Sequence, residues 1–179
     1  MITLSNTATR ATVTLNIELL EEAVEVLSSM DDTTYIRPAD LFGGQRIGGH
    51  IRHIVEFYEC LFEGVANGTI DYAARRRDIV VELHRSAALD RLKLLRDRLR
   101  GDDRLNESTA VWVQPEDSVS GCVSSSLGRE MEAIASHTVH HFALIAVLLR
   151  FFGFETRSDF GVSKATLRYR AGSIQHQAA

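Results

Sequence analysis

Four long stretches of helical periodicity, only two prolines and a single β-like run predict an all-α protein, a four-helix bundle with one long crossover connection. Pro38 and Pro115 both fall outside the strongest helical patterns, so neither breaks a long helix. The first helix is expected from about Leu15 to Met30, where Ile17, Leu20, Val24 and Leu27 recur at helical spacing and glutamates fill the other face. Asn16 or Thr14 is its expected N-cap. Residues 31–44, with Pro38 and the Gly43-Gly44 pair, read as a connection.

The second helix is expected from about Ile47 to Ala66. Steps of about 100° per residue place Ile47, Ile51, Ile54, Tyr58, Leu61 and Val65 on one stripe. Arg52, Glu56, Glu59 and Glu63 fall on the opposite side, and Asn67-Gly68 ends the helix. A short basic segment, Asp71 to Arg77, follows. The third helix runs from about Ser86 to Arg100, with Leu89, Leu92, Leu95 and Leu99 inward and Gly101 as its stop. Thr109 to Val113 is β-like and reads as a short strand or an extended connector. The distance from there to the next helix requires the long crossover. The fourth helix, about Ser125 to Phe152, is the strongest pattern and ends at Gly153. Ser163 to Arg170 is a last short helix, and 172–179 is expected to fray.

The 179 residues suit one domain, 1–179, with a core over about 14–153 and a C-terminal tail over 154–179. A formal net charge of −4 lacks the basic excess of a nucleic-acid surface, so no nucleic-acid partner is expected. The longest purely apolar run, Phe142 to Leu149, falls short of a membrane span, and no membrane partner is expected either. Cys60 and Cys122 stand far apart with no C-x-x-C unit, which suits a reducing compartment. Residues 1–13 show no apolar leader core, so the expected location is the cytoplasm.

The histidines carry the functional signal. His137 and His141 are four apart and share a helical face with Ile134, Leu144, Ile145 and Leu148, so both point into the bundle. Thr138 stands where the H-E-x-x-H motif needs glutamate, so this is not that protease signature. On the second helix, His50 and His53 are three apart and occupy neighbouring positions of one face. Histidines converging from two helices form an interior metal site, and three imidazoles leave a coordination position open. His50 lies inside the apolar stripe, about 60° from Ile47, whereas His53 lies at its edge. His140 is marginal. Glu130, seven residues before His137, is a candidate general base or a partner fixing a histidine tautomer, against the plainer reading of an ordinary buried or capping carboxylate. His84 and His176 read as surface residues, Cys60 as a small core residue, and Arg75 to Arg77 as a solvated or salt-bridged loop.

Several segments together resemble the DinB-like (DinB/YfiT-like) metalloenzymes. These are IGGHIRHIVEFY at 47–58, Ile70-Asp71-Tyr72 with the Arg75 to Arg77 run, SSSLGRE at 124–130, SHTVHHFALIA at 136–146 and DFGVSKATLR at 159–168. The similarity spans nearly the whole chain. It implies a four-helix bundle with a long crossover and a divalent ion, commonly nickel or zinc. The ion is held by one histidine of the second helix and a later His-x-x-x-His pair. Matched residue by residue, the ligands are His53, His137 and His141, with His50 as an alternative or additional ligand. Relatives often have a further histidine where this chain has Phe57. The resemblance further implies an S-transferase or isomerase using a low-molecular-weight thiol and a small-molecule substrate, and a homodimer. The alternative is a non-catalytic metal-binding stress or interaction protein that forms a helical dimer.

Overall fold

The computed structural model describes residues 10–116 and 121–177, with side chains described as far as residue 172. Its long helices are α1 (Ala11–Ser28), α3 (Ile47–Asn67), α5 (Arg85–Gly101) and α6 (Leu127–Phe151). Shorter elements fill the connections: α2 (Asp32–Ile36), β1 (Thr69–Asp71), α4 (Ile79–Leu83), β2 (Ala110–Gln114), β3 (Val123–Ser126) and α7 (Lys164–Gln177). Helix α1 packs on α5 and α6, and α3 packs on the same two, so the four long helices close a ring around one core. Leu20, Leu27, Ile47, Ile51, Ile54, Leu61, Leu92 and Phe142 are fully buried there.

Helix α1 begins four residues before the expected start, and Asn16 is not its cap. Asn16 is fully buried, with Nδ2 donating to the carbonyl oxygens of Thr12 (2.7 Å) and Met131 (3.0 Å). Its Oδ1 accepts the Tyr58 hydroxyl at 2.7 Å, and Thr138 Oγ1 donates to that hydroxyl at 3.5 Å. Neither candidate cap is one: Arg10 precedes the helix and makes no side-chain cap bond. This network pins α1, α3 and α6 to one another at the level of the histidines, because a buried amide tolerates little displacement from its partners.

The all-α expectation holds for most of the chain but omits a small sheet. Strands pair in the order β1-β2-β3, β1 parallel to β2 and β2 antiparallel to β3. The long crossover is therefore a hairpin added to a strand that follows α3. It delivers the chain into α6 at Ser126, whose Oγ caps the helix by accepting the Arg129 amide. Gly68 ends α3 in the left-handed conformation, with φ of 77°.

The supposed connections contain α2 and α4, five-residue helices capped by Asp31 and Asp78. Helix α4 lies against the start of α3, closely enough that a Cβ on Gly48 would sit 2.0 Å from the Glu82 carbonyl oxygen. That contact corrects the outer face expected for α3. Glu56 is buried, held by Arg52 Nη1 at 2.8 Å and by the Asp78 amide at 2.9 Å, while Arg52 Nε also binds Glu82 at 2.8 Å. At the other end, α7 continues to Gln177 where fraying was expected from residue 172. Residues 178–179, most of the expected leader-free segment and the His176 side chain lie outside what is described. Helix α6 is long and apolar enough to cross a membrane, and half of that window is buried inside the bundle.

Candidate metal centre

Helix α3 offers His53 and helix α6 offers His137 and His141. The structure brings these three together, with one ligand atom from each lying within 4.8 Å of the others. Ring centroids are 4.8 Å apart for His53 and His137, 4.7 Å for His53 and His141, and 4.5 Å for His137 and His141. Nitrogens around a tetrahedral zinc stand about 3.3 Å apart, so the rings need to draw in by at most ~1.5 Å.

Helical angles left His50 and His53 both open and the resemblance favoured His53; the structure groups His53 with the pair. His50 stands outside the triad, its Nδ1 3.0 Å from His141 Nδ1 and its Nε2 3.2 Å from Gln45 Oε1. With Gln45 Oε1 accepting from His50 Nε2–H, neutral His50 presents its Nδ1 lone pair to His141 Nδ1–H. His141 is left with its Nε2 lone pair, the form a metal ligand requires. His140 is exposed, 5.4 Å from His141 between ring centroids, and outside the triad. His84 is exposed, as expected.

Burial is the main cause of depressed histidine pKa values throughout the cluster. It holds His137 at about 4, helped by His140, and His53 at about 3, helped by Arg75 and then His137. His141 falls to about 2, with His137 and His53 adding to the effect of burial. His50 is lowered as well, by burial and by His140. All four rings are neutral at pH 7, so each keeps one nitrogen lone pair, that of His50 facing His141 and that on His53 Nδ1 facing Arg75.

The surroundings of the triad fit a cation in one respect above all. His137 Nε2 is buried and has no hydrogen-bond partner, although buried polar atoms nearly always have one. Phe57 stacks on the same ring at 4.2 Å and 26°, covering that face, and Tyr72 stacks on Phe57 at 5.0 Å. His53 and His141, but not His137, line a cleft of about 290 Å³ together with Gln45, Arg46, His50 and Arg52, among others.

Arg75 is salt-bridged as its loop reading expected but also makes an unforeseen contact with His53, and Glu130 is a buried carboxylate, as its plainer reading has it. Arg75 is one of the expected salt-bridged loop residues, yet its side chain is buried and donates to His53 Nδ1. Glu116 accepts from the same guanidinium, and Glu56 lies 3.8 Å away. The loop reading of the basic run gave no hint of this contact. Glu130, the candidate base, is buried with both oxygens occupied: Tyr72 donates at 3.0 Å and Ser125 at 2.6 Å. No hydrogen bond joins it to a histidine among the described residues. Cys60 is buried, and burial raises its thiol to about 11, which leaves it a protonated core residue.

No family model matches the chain, and no solved structure matches it. A Rhizopus delemar protein named FK506-binding protein 5 is 27% identical over 104 residues, covering 56% of this chain and 27% of that protein. The chain thus spans about a quarter of that relative's length.

Proposed function

We propose that this protein is a divalent-metal-dependent enzyme of the DinB-like type that acts on a low-molecular-weight thiol. His53, His137 and His141 would hold zinc or nickel. The observation that carries this reading is the convergence of three neutral imidazoles on one point, with His137 Nε2 buried and otherwise unpartnered. A divalent ion there supplies Lewis acidity, which lets a thiol ionise near neutral pH.

The chain's own residues account for the rest of the arrangement. Gln45 and His50 orient His141, Phe57 covers one face of His137, and the cleft beside His53 and His141 admits a small molecule. Glu56 and Glu116 retain the Arg75 guanidinium when His53 is needed as a ligand. A homodimer and a cytoplasmic setting belong to the same reading. Metal content of protein purified with added zinc or nickel, compared with His137→Ala, tests the site. Consumption of thiol in the presence of an electrophile, compared in the same pair, tests the reaction. Stoichiometric metal lost in the variant supports the first part, and thiol consumption that is absent or equal in both sinks the second.

One observation favours the alternative of a non-catalytic metal-binding protein. The carboxylate best placed in sequence to act as a base, Glu130, is fully engaged by Tyr72 and Ser125. Metal binding without turnover of any thiol would select that alternative.

A further inference from the structure

The three imidazoles bring no negative charge to the site, and the carboxylates around it are committed elsewhere. Glu56 is held by Arg52 and the Asp78 amide, Glu82 by Arg52, and Glu130 by Tyr72 and Ser125. A divalent ion on the triad would keep its full charge, since neutral ligands neutralise none of it.

The cleft that opens on the triad adds to this imbalance. Two cations line it, Arg46 and Arg52, together with one carboxylate, Glu82. Arg52 is matched, because its Nε binds Glu82 and its Nη1 binds Glu56, each at 2.8 Å. Arg46 is half-buried at the start of α3, and its guanidinium has no hydrogen bond or ion pair with any described residue. A partly desolvated guanidinium with five donors and no acceptor is matched best by a carboxylate or a comparable oxyanion. The cleft, at about 290 Å³, lies at the small end of ligand sites.

We propose that the cleft beside the triad takes a small anionic ligand, a thiol bearing a carboxylate, with Arg46 binding the carboxylate while the sulfur reaches the histidine cluster. Arg46 is thereby the residue that selects a charged thiol over a neutral one. The inference rests on the metal reading above and narrows its substrate class.

The test uses full-length protein loaded with cobalt(II), whose visible absorption reports both uptake by the histidines and the arrival of a sulfur ligand. Two probes of similar size, 3-mercaptopropionate and its neutral amide, 3-mercaptopropionamide, are titrated into native protein and into Arg46→Gln. Arg46 makes no side-chain cap bond for α3, so the variant is expected to fold and to take up cobalt as the native protein does. Native protein is expected to prefer the anionic probe by about tenfold or more, the range of one charge-assisted hydrogen-bonding pair. In Arg46→Gln the preference should fall to within about twofold, through loss of affinity for 3-mercaptopropionate alone. Equal binding of the two probes by native protein overturns the proposal and leaves the metal site standing. A preference that survives in Arg46→Gln also overturns it, because chelation by the probe then suffices. Failure of native protein to take up cobalt overturns the metal reading and this inference with it.

Discussion

Two clusters lie between α3 and α6, drawn from adjacent positions on each helix. One contains Tyr58 and Thr138 and reaches Asn16 on α1, and every polar side-chain group in it has a partner. The other contains Phe57 and His137, and there Nε2 of His137 has none. The first cluster is closed and holds three helices in register. The second borders the cleft through His53 and His141, and one ring nitrogen from each of its three histidines lies within 4.8 Å of the others. Burial at this depth costs free energy unless a polar group is satisfied, so the difference separates an element of architecture from a candidate binding site.

Removing imidazoles should break the comparison most visibly. His137→Ala or His141→Ala is expected to weaken zinc or nickel binding by at least about a hundredfold, read by elemental analysis and competition with a chelator. Asn16→Ala should do the reverse. It leaves Tyr58 without its acceptor and should cost about 2–3 kcal/mol in denaturant unfolding while metal stoichiometry stays intact. Loss of metal in Asn16→Ala, or large destabilisation in apo His137→Ala, would show that the clusters are not separable.

Acid should distinguish them next. The triad histidines are neutral in the fold down to about pH 4 for His137 and about 3 for His53, whereas unfolded histidine titrates near ~6.5. The unfolded state therefore binds more protons in that window, and stability falls as pH drops from ~6.5 toward 4. Above pH ~6.5 these groups contribute no pH dependence. Metal-free protein unfolded at a series of pH values should show that slope, and His53→Ala with His137→Ala should reduce it, His141 and His50 keeping the remainder.

A smaller effect concerns Arg75, whose guanidinium competes for the His53 lone pair. Arg75→Gln is expected to tighten metal binding by about tenfold, since it removes both a competing donor and a nearby positive charge. Weaker binding in calorimetric titration would instead make Arg75 a support of the site. The smallest change is expected for Glu130→Gln, with metal affinity within about twofold of native, because Glu130 serves Tyr72 and Ser125.

The long helices were legible because each buries one stripe of its surface, and such stripes recur visibly in sequence. The His137 and His141 pair was legible for the same reason. Helical angles could not choose between His50 and His53, because only the position of α6 decides which faces its pair; the resemblance favoured His53, the one the structure groups with the pair. Asn16 looked like a cap since asparagine favours helix starts, and its partners, Tyr58 and Met131, are distant in the chain. The strands β1 and β3 and the helices α2 and α4 span three to five residues, too few for periodicity to register. Arg75 was hidden by its context, a basic run whose neighbour Arg76 is exposed and pairs with Glu63.

The stacking of Phe57 on His137 gives the protein a built-in reporter. Protons of an imidazole held face to face with a benzene ring lie in its shielding cone, so His137 should resonate upfield of the other histidines in a proton spectrum. Whatever draws the three imidazoles together tilts that ring against Phe57 and moves the signal. Occupancy of the centre can then be followed in solution without a label, on the residue whose buried nitrogen first marked the site.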